Sequence, residues 1–372
     1  MHNNRAQGML EPSNPLDKKA QTQNPASAPS LAQRVFRVRN IASFVLALGI
    51  LYLVYKQLLG LDWDEVWASV RGANAWLFVL AFALFYCSYP VRALRWKVLL
   101  ANVGYENTAG HRMPSTLGLT RIMYIAWFAN CITIARLGDA YRGYLLKKTS
   151  DVSFAVTLGT ILAERLLDLL VMAAMMGLSV LVIFGASLPT EATQALAAGL
   201  ILSAVGIVGL LALRRLRVVF ERVLPKRLHA HYARLEHGVI DSLRGRLPLL
   251  VAYSMVGWMM EGATLYTVAA AVGAPVSIAG ALVVGLAASL LTTVPITPSG
   301  LGFTEAGMLV MLGWLGLDTP TASAITLLFR LINYWSIVVF GGLVLYLFSR
   351  NGDRLRKERL VGRSDTPTYE NP

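Results

Sequence analysis

Apolar runs of about 20 residues recur along this chain, and a run of that length crosses a hydrocarbon core about 30 Å thick. The clearest are Ile41–Leu59, Ala75–Leu100, Ser153–Phe184, Ala192–Leu213, Leu249–Val272 and Ala322–Leu347. Leu117–Ile134 and Ile278–Val294 are shorter or interrupted, and Phe303–Leu317 is too short to span easily. Charged residues make up only 15%, against about 25% in soluble domains. Lipid-exposed backbone must satisfy its own hydrogen bonds, which a helix does within one segment. The expected fold is therefore an all-α polytopic membrane protein.

Residues 1–33 are polar and open on no hydrophobic run, so they read as a disordered cytoplasmic tail and not a cleavable signal. Residues 34–348 form the transmembrane domain, and residues 349–372 a basic cytoplasmic tail. Arg and Lys gather before Ile41, around Arg95–Arg121, between Arg214 and Arg246, and after Ser349. The intervening loops 60–74, 186–191, 273–277 and 316–320 are poor in them. The positive-inside rule then places both termini in the cytoplasm of a multi-pass plasma (inner) membrane protein. The net charge of +13 reflects this asymmetry and attraction to anionic headgroups, not nucleic acid. Cys87 and Cys131 lie in apolar segments, so no disulfide framework is indicated. His229, His231 and His237 are expected in a solvated basic loop, without metal-ligand spacing, and no metal or cofactor is expected.

One short pattern occurs twice. "NCITIARLGDAYRGYLL" (Asn130–Leu146) and "VPITPSGLGFTEAGMLV" (Val294–Val310) align Ile132 with Ile296, Thr133 with Thr297, Leu137 with Leu301, Gly138 with Gly302 and Gly143 with Gly307. At a nearly constant offset, "ERLLDLL" from Glu164 aligns with "FRLINYW" from Phe329, setting Arg165 on Arg330 and Asp168 on Asn333. Parity of crossings requires the chain near Leu117–Leu146 to leave the cytoplasm and return, and that near Ile278–Leu317 to enter and return from outside. The expected architecture is an inverted repeat, halves 75–187 and 248–348, with two opposed re-entrant helical hairpins turning near Gly138 and near Pro298 to Gly302.

Charges at the centre of a span cost about 2.5–3.5 kcal/mol each, so they call for partners or a role. Glu164 and Asp168, four apart, repel unless a cation lies between them; Arg165 and Asp168, three apart, share a helix face. Arg330 has no nearby acid in sequence and needs Glu305, Glu164, Asp139 or a ligand phosphate. These charges either tie the two halves together as ion pairs or line a cavity. In the second reading Arg136, Arg142, Arg165 and Arg330 receive an anionic headgroup, since guanidinium binds phosphate bidentately, aided by half-helix N-termini near Gly138 and Gly302. Asp139, Glu164, Asp168, Ser299, Gly300, Glu305 and Asn333 complete the candidate substrate site. Arg92 and Arg95 are expected to snorkel to the cytoplasmic interface beside Trp96, with admission of headgroups as their sharper role. Glu261 is a paired charge or a cavity wall.

"RALRW", "RLGDAYRGYLL", "AERLLDLL" and "TPSGLGFTEAG", in this order, resemble the signature segments of the lysylphosphatidylglycerol synthase/flippase transmembrane-domain family. The likeness covers about Ile41 to Leu347. It departs at Ile134-Ala135, where Pro-Gly is usual, at Asp139 in place of Glu, and at Pro298-Ser299-Gly300 in place of Pro-Gly-Gly. The resemblance implies a membrane protein that moves a lipid between leaflets; with only residues 349–372 after the last span, no aminoacyl-transfer domain is expected.

The expected function is translocation of an anionic or phosphate-bearing lipid, with membrane lipid as substrate and a second copy or a separate lipid-modifying enzyme as protein partner. Two alternatives stand beside it. One is a membrane glycosyltransferase using a lipid-linked sugar, suggested by Asp62-Trp63-Asp64 in the first external loop, although two acids at the start of a short helix are also favoured by its dipole. The other is a non-catalytic partner of a cell-envelope enzyme.

Overall fold

In a computed structural model of the chain, the described residues are 63–106, 113–133, 137–150, 152–185, 225–293 and 297–348, with a few positions between 204 and 215. The first expected span, both tails, most of Ala192–Leu213, and Asp62, Ala135 and Arg136 lie outside them. Among the described residues there are helices and no strand.

The helices are α1 (Trp63–Arg71), α2 (Ala75–Asn102), α3 (Thr116–Ile132), α4 (Leu137–Ser150), α5 (Phe154–Phe184), α6 (Lys226–Ser242), α7 (Leu247–Val272), α8 (Ile278–Leu291), α9 (Phe303–Trp314) and α10 (Thr319–Phe348). Side-chain caps fix several starts: Asn74 accepts from Trp76 N and Leu77 N, Ser115 from Gly118 N, Ser277 from Gly280 N, and Asp318 from Thr321 N. Left-handed Gly273 closes α7.

Helices α2, α5 and α10 are long and apolar enough to cross a membrane. Helix α7 matches the expected Leu249–Val272 run and has similar length, but Ser254, Glu261, Thr264 and Thr267 are buried along it, and it falls outside that group. Exposed apolar side chains such as Trp76, Leu178, Val182, Val339 and Leu343 give these helices the outer surface that hydrocarbon would cover. Helix α10 is not uniform: a π turn at Leu331–Trp335 interrupts it just after Arg330.

Helices α2 and α7 pack along each other and run through both apolar cores. One core gathers Phe85, Tyr89, Leu265, Met308, Phe329 and Ile332. The other gathers Trp96, Leu99, Ile122, Leu145, Leu167 and Trp258. Helix α3 packs on α4, and α8 on α9; α4 then contacts α5, and α9 contacts α10.

The basic stretch with the three histidines is helix α6, not the expected loop. Leu228, Tyr232, Leu235 and Val239 recur at helical spacing, and the helix lies close on α5. A Cβ on Gly159 would come 2.3 Å from Leu235 O, so the backbones touch there. His237 Nδ1 lies 2.7 Å from Asp241 Oδ2, one turn along.

Candidate functional site: a buried charge cluster at the helix-turn elements

Helix α4 starts immediately beside α3. A Cβ on Gly138 would fall 1.9 Å from Ala126 O, so only glycine admits this approach. Asn130 Oδ1 accepts from Gly138 N at 2.8 Å, supplying one of the donors that a helix start leaves open. The second copy of the motif solves the same problem with a charge: Glu305 Oε2 accepts from Gly302 N at 2.7 Å at the start of α9. The turn before it is built from Pro298, Ser299 and Gly300, with Ser299 at φ 50, Gly300 at φ 65 and Gly302 at φ 86. Ser299 occupies the left-handed region where its family resemblance has glycine.

The first half contains a continuous charge cluster. Arg142 donates from both Nη atoms to Glu164, at 3.2 and 2.9 Å, and its Cζ lies 3.7 Å from the Trp96 ring centroid. Arg95 Nη2 lies 3.0 Å from Glu164 Oε1 and 3.1 Å from Asp168 Oδ2; Arg95 Nη1 also bonds Asp168 Oδ1 and donates to Ser254 Oγ at 2.6 Å. Trp258 Nε1 donates to Asp168 Oδ1 at 3.0 Å. The cation required between Glu164 and Asp168 is therefore Arg95, brought from α2.

This corrects the expectation for Arg92 and Arg95. Neither snorkels: Arg95 is 1% exposed and Arg92 4%. Carboxylates on α5 and α7 offer Arg92 and Arg95 counter-charges inside the bundle, so water at the interface is not needed. Arg92 Nη2 lies 3.4 Å from Glu261 Oε2, while its Cζ sits 4.3 Å from the Trp258 centroid. Arg165 also differs from its sequence reading. Its nearer partner is Asp139 at 3.2 Å; Asp168, one turn away, is at 3.9 Å.

In the second half Arg330 Nε donates to Glu305 Oε1 at 2.6 Å, and its Cζ is 4.8 Å from the Tyr334 centroid. Arg330 Nη2 and Asn333 Oδ1 are buried with no partner among the described residues. Thus the aligned arginines make matching pairs: Arg165 with Asp139, Arg330 with Glu305, each acid in the first turn of its helix.

Trp258, Ser254, Asn130 and Tyr334 complete the cluster without having been singled out from sequence, and Trp96, expected at the interface, is buried against Arg142 instead. Trp258 lies three residues before Glu261 and Trp96 follows Arg95, but an interfacial aromatic belt explains such spacing equally well. Asp64 lies in the first turn of α1. Among the described residues no group of three or more His, Cys, Asp or Glu could hold a metal ion.

Comparison with known proteins gives the site its family. The chain is 34% identical over 226 residues to "UPF0104 membrane protein MJ1078" of Methanocaldococcus jannaschii, covering 60% of this chain and 95% of that one. It is 26% identical over 337 residues to "Glycosyltransferase AglD" of Haloferax volcanii, covering 79% of this chain but only 51% of AglD. A UPF0104 membrane protein of Methanothermobacter thermautotrophicus is 25% identical over 304 residues. Residues 40–341 match the family described as "Lysylphosphatidylglycerol synthase TM region". The paired charges from Arg92 to Arg330 all lie inside that match, and the chain belongs to this family of membrane proteins.

Proposed function

We propose that the protein translocates a lipid with an anionic, phosphate-bearing headgroup between the two leaflets of the plasma (inner) membrane. The observation that carries this reading is Arg330. It is buried in a helix long and apolar enough to span, Glu305 fixes its Nε, and its Nη2 has no partner among the described residues. A donor left open at that depth costs free energy unless an acceptor arrives. A phosphate oxygen supplies one, and the guanidinium fork suits it. Arg142 gives both Nη atoms to Glu164, so Arg136, the other arginine of the first motif, is the better second arm of a clamp.

The inverted repeat is part of the same reading. Its support is the matched pairs Arg165–Asp139 and Arg330–Glu305, and the parallel packing order α2, α3, α4, α5 against α7, α8, α9, α10. The α3–α4 unit enters from the cytoplasm and the α8–α9 unit from outside, with both termini cytoplasmic. The test is translocation of a fluorescent anionic phospholipid in reconstituted vesicles. Arg330→Lys keeps the charge but loses the fork, and should slow translocation about tenfold, about 1.4 kcal/mol on the barrier. A normal rate in that variant would remove the clamp.

The AglD relative favours one second reading, a glycosyltransferase acting on a lipid-linked sugar. It predicts that Asp62→Asn with Asp64→Asn abolishes function while the protein still inserts. Retained function removes it.

A further inference from the structure

The buried acids differ in how well they are held. Glu164 receives two donors from Arg142 and a second cation from Arg95, all within 3.2 Å. Asp168 is bonded by Arg95 and Trp258, and Glu305 by Arg330 and a backbone N–H at 2.6 and 2.7 Å. Glu261, at 4% exposure, is about as buried as Glu164 and Asp168 and more so than Glu305, yet its two contacts are both long: Arg92 Nη2 to Oε2 at 3.4 Å and Ser289 Oγ to Oε1 at 3.4 Å. Arg92 itself is drawn toward two rings, with Trp258 at 4.3 Å and Trp127 at 5.7 Å from its Cζ. Burial disfavours a charged carboxylate, and contacts this long return little of that cost.

Among the described residues the surroundings offer no better counter-charge. From α2, Arg92 and Tyr89 face this region, Tyr89 with a buried hydroxyl that has no partner among the described residues. Arg95, one turn from Arg92, is committed to Glu164 and Asp168 of α5. Helix α8 contributes Ser289 and no titratable group. From α10, Arg330 is committed to Glu305 and lies beside Tyr334.

We propose that Glu261 is a proton-binding site that couples proton movement to displacement of α8 from α7. A hydronium ion gives its proton to a carboxylate oxygen: one hydronium O–H bond breaks, the Glu261 O–H bond forms, water is released, and the neutral acid no longer holds Arg92 by charge. Glu261 sits where the two helices approach closely: a Cβ on the adjacent Gly262 would fall 3.2 Å from Leu282 Cα. Loss of the charge also weakens the Ser289 bond, a polar link from α7 to α8. The coupling rests on the translocase reading; the proton site does not.

Infrared spectroscopy of the full chain in vesicles, titrated from acid to alkaline pH, reads the site directly. Wild type minus Glu261→Gln should show a protonated-carboxyl C=O band that persists above the pH at which glutamate in solution has lost its proton. Ser289→Ala keeps the acid and removes one donor, so it should move that midpoint up by about half to one unit. A missing band, or one titrating where solution glutamate does, near 4.3, overturns the proton site. Translocation under an imposed pH gradient tests the coupling: Ser289→Ala should shift its pH profile by the same amount, and an unmoved profile overturns the coupling alone. If wild type moves no lipid while the band titrates as expected, the translocase reading and the coupling fall and the proton site stands.

Discussion

Glu305 binds Arg330 through one carboxylate oxygen and the Gly302 N–H through the other, at 2.6 and 2.7 Å, so one side chain both starts α9 and neutralises a cation in α10. The aligned pair Arg165–Asp139 joins α5 to the start of α4 in the same manner, while Asn130 takes over the Gly138 N–H. The acids sit at different distances from their glycines, one residue for Asp139 and three for Glu305, so the halves share a task and not a residue-for-residue match.

Glu305→Gln should be severely destabilising, by about 3–5 kcal/mol, because it leaves a buried guanidinium without its counter-charge. Adding Arg330→Met to Glu305→Gln removes the orphaned charge and should recover part of the folded yield, measured by monodispersity and thermal unfolding in detergent. A double variant as poor as the single would show that the pairing is not what Glu305 contributes.

Ser299 is the reverse case. Its φ of 50 is uncommon for a residue with a Cβ. Ser299→Gly should raise stability by about 1 kcal/mol, a rise of a few degrees in Tm, since glycine adopts this conformation without the steric cost. Gly138→Ala should do the opposite and strongly lower folded yield, because its Cβ has no space beside Ala126 O.

Cysteine labelling reads the two turns. In a background with Cys87 and Cys131 replaced by Ser, Ala135→Cys should react with impermeant reagent only from the cytoplasm, and Ser299→Cys only from outside. Ser299→Cys labelled from the cytoplasm together with Ala135→Cys labelled from outside would mean full crossings and no re-entrant units.

Asp318 provides a pH dependence outside the spans. The Thr321 hydroxyl and backbone N–H hold its carboxyl below the usual value. A carboxylate with a depressed folded pKa contributes its stability above the unfolded value, about 3.9, and loses it as pH falls through the folded value. Asp318→Ala should therefore cost about 0.5–1 kcal/mol near neutral pH, the low end of a cap because the site is exposed. The difference from wild type should vanish in strong acid. Thermal unfolding of both proteins at the two pH values checks this, and an equal deficit at both would exclude the ionised cap.

The long apolar helices were legible in sequence because a bilayer imposes a length and an exclusion of charge that composition records directly: Ala75–Leu100 and Ser153–Phe184 became α2 and α5 within two residues. The need for glycine at two aligned positions was legible too, since only glycine tolerates the approach at Gly138 and the backbone at Gly302. Partner choice was not. Arg95 looks interfacial from its neighbours Trp96 and Lys97, yet it neutralises Glu164 and Asp168, far away along the chain. Arg165 has Asp168 one turn away and binds Asp139 more closely. Periodicity shows which face a side chain occupies within its own helix. Which charge meets it depends on how α2, α5 and α7 pack, and a buried charge takes its partner from whichever helix the bundle sets beside it.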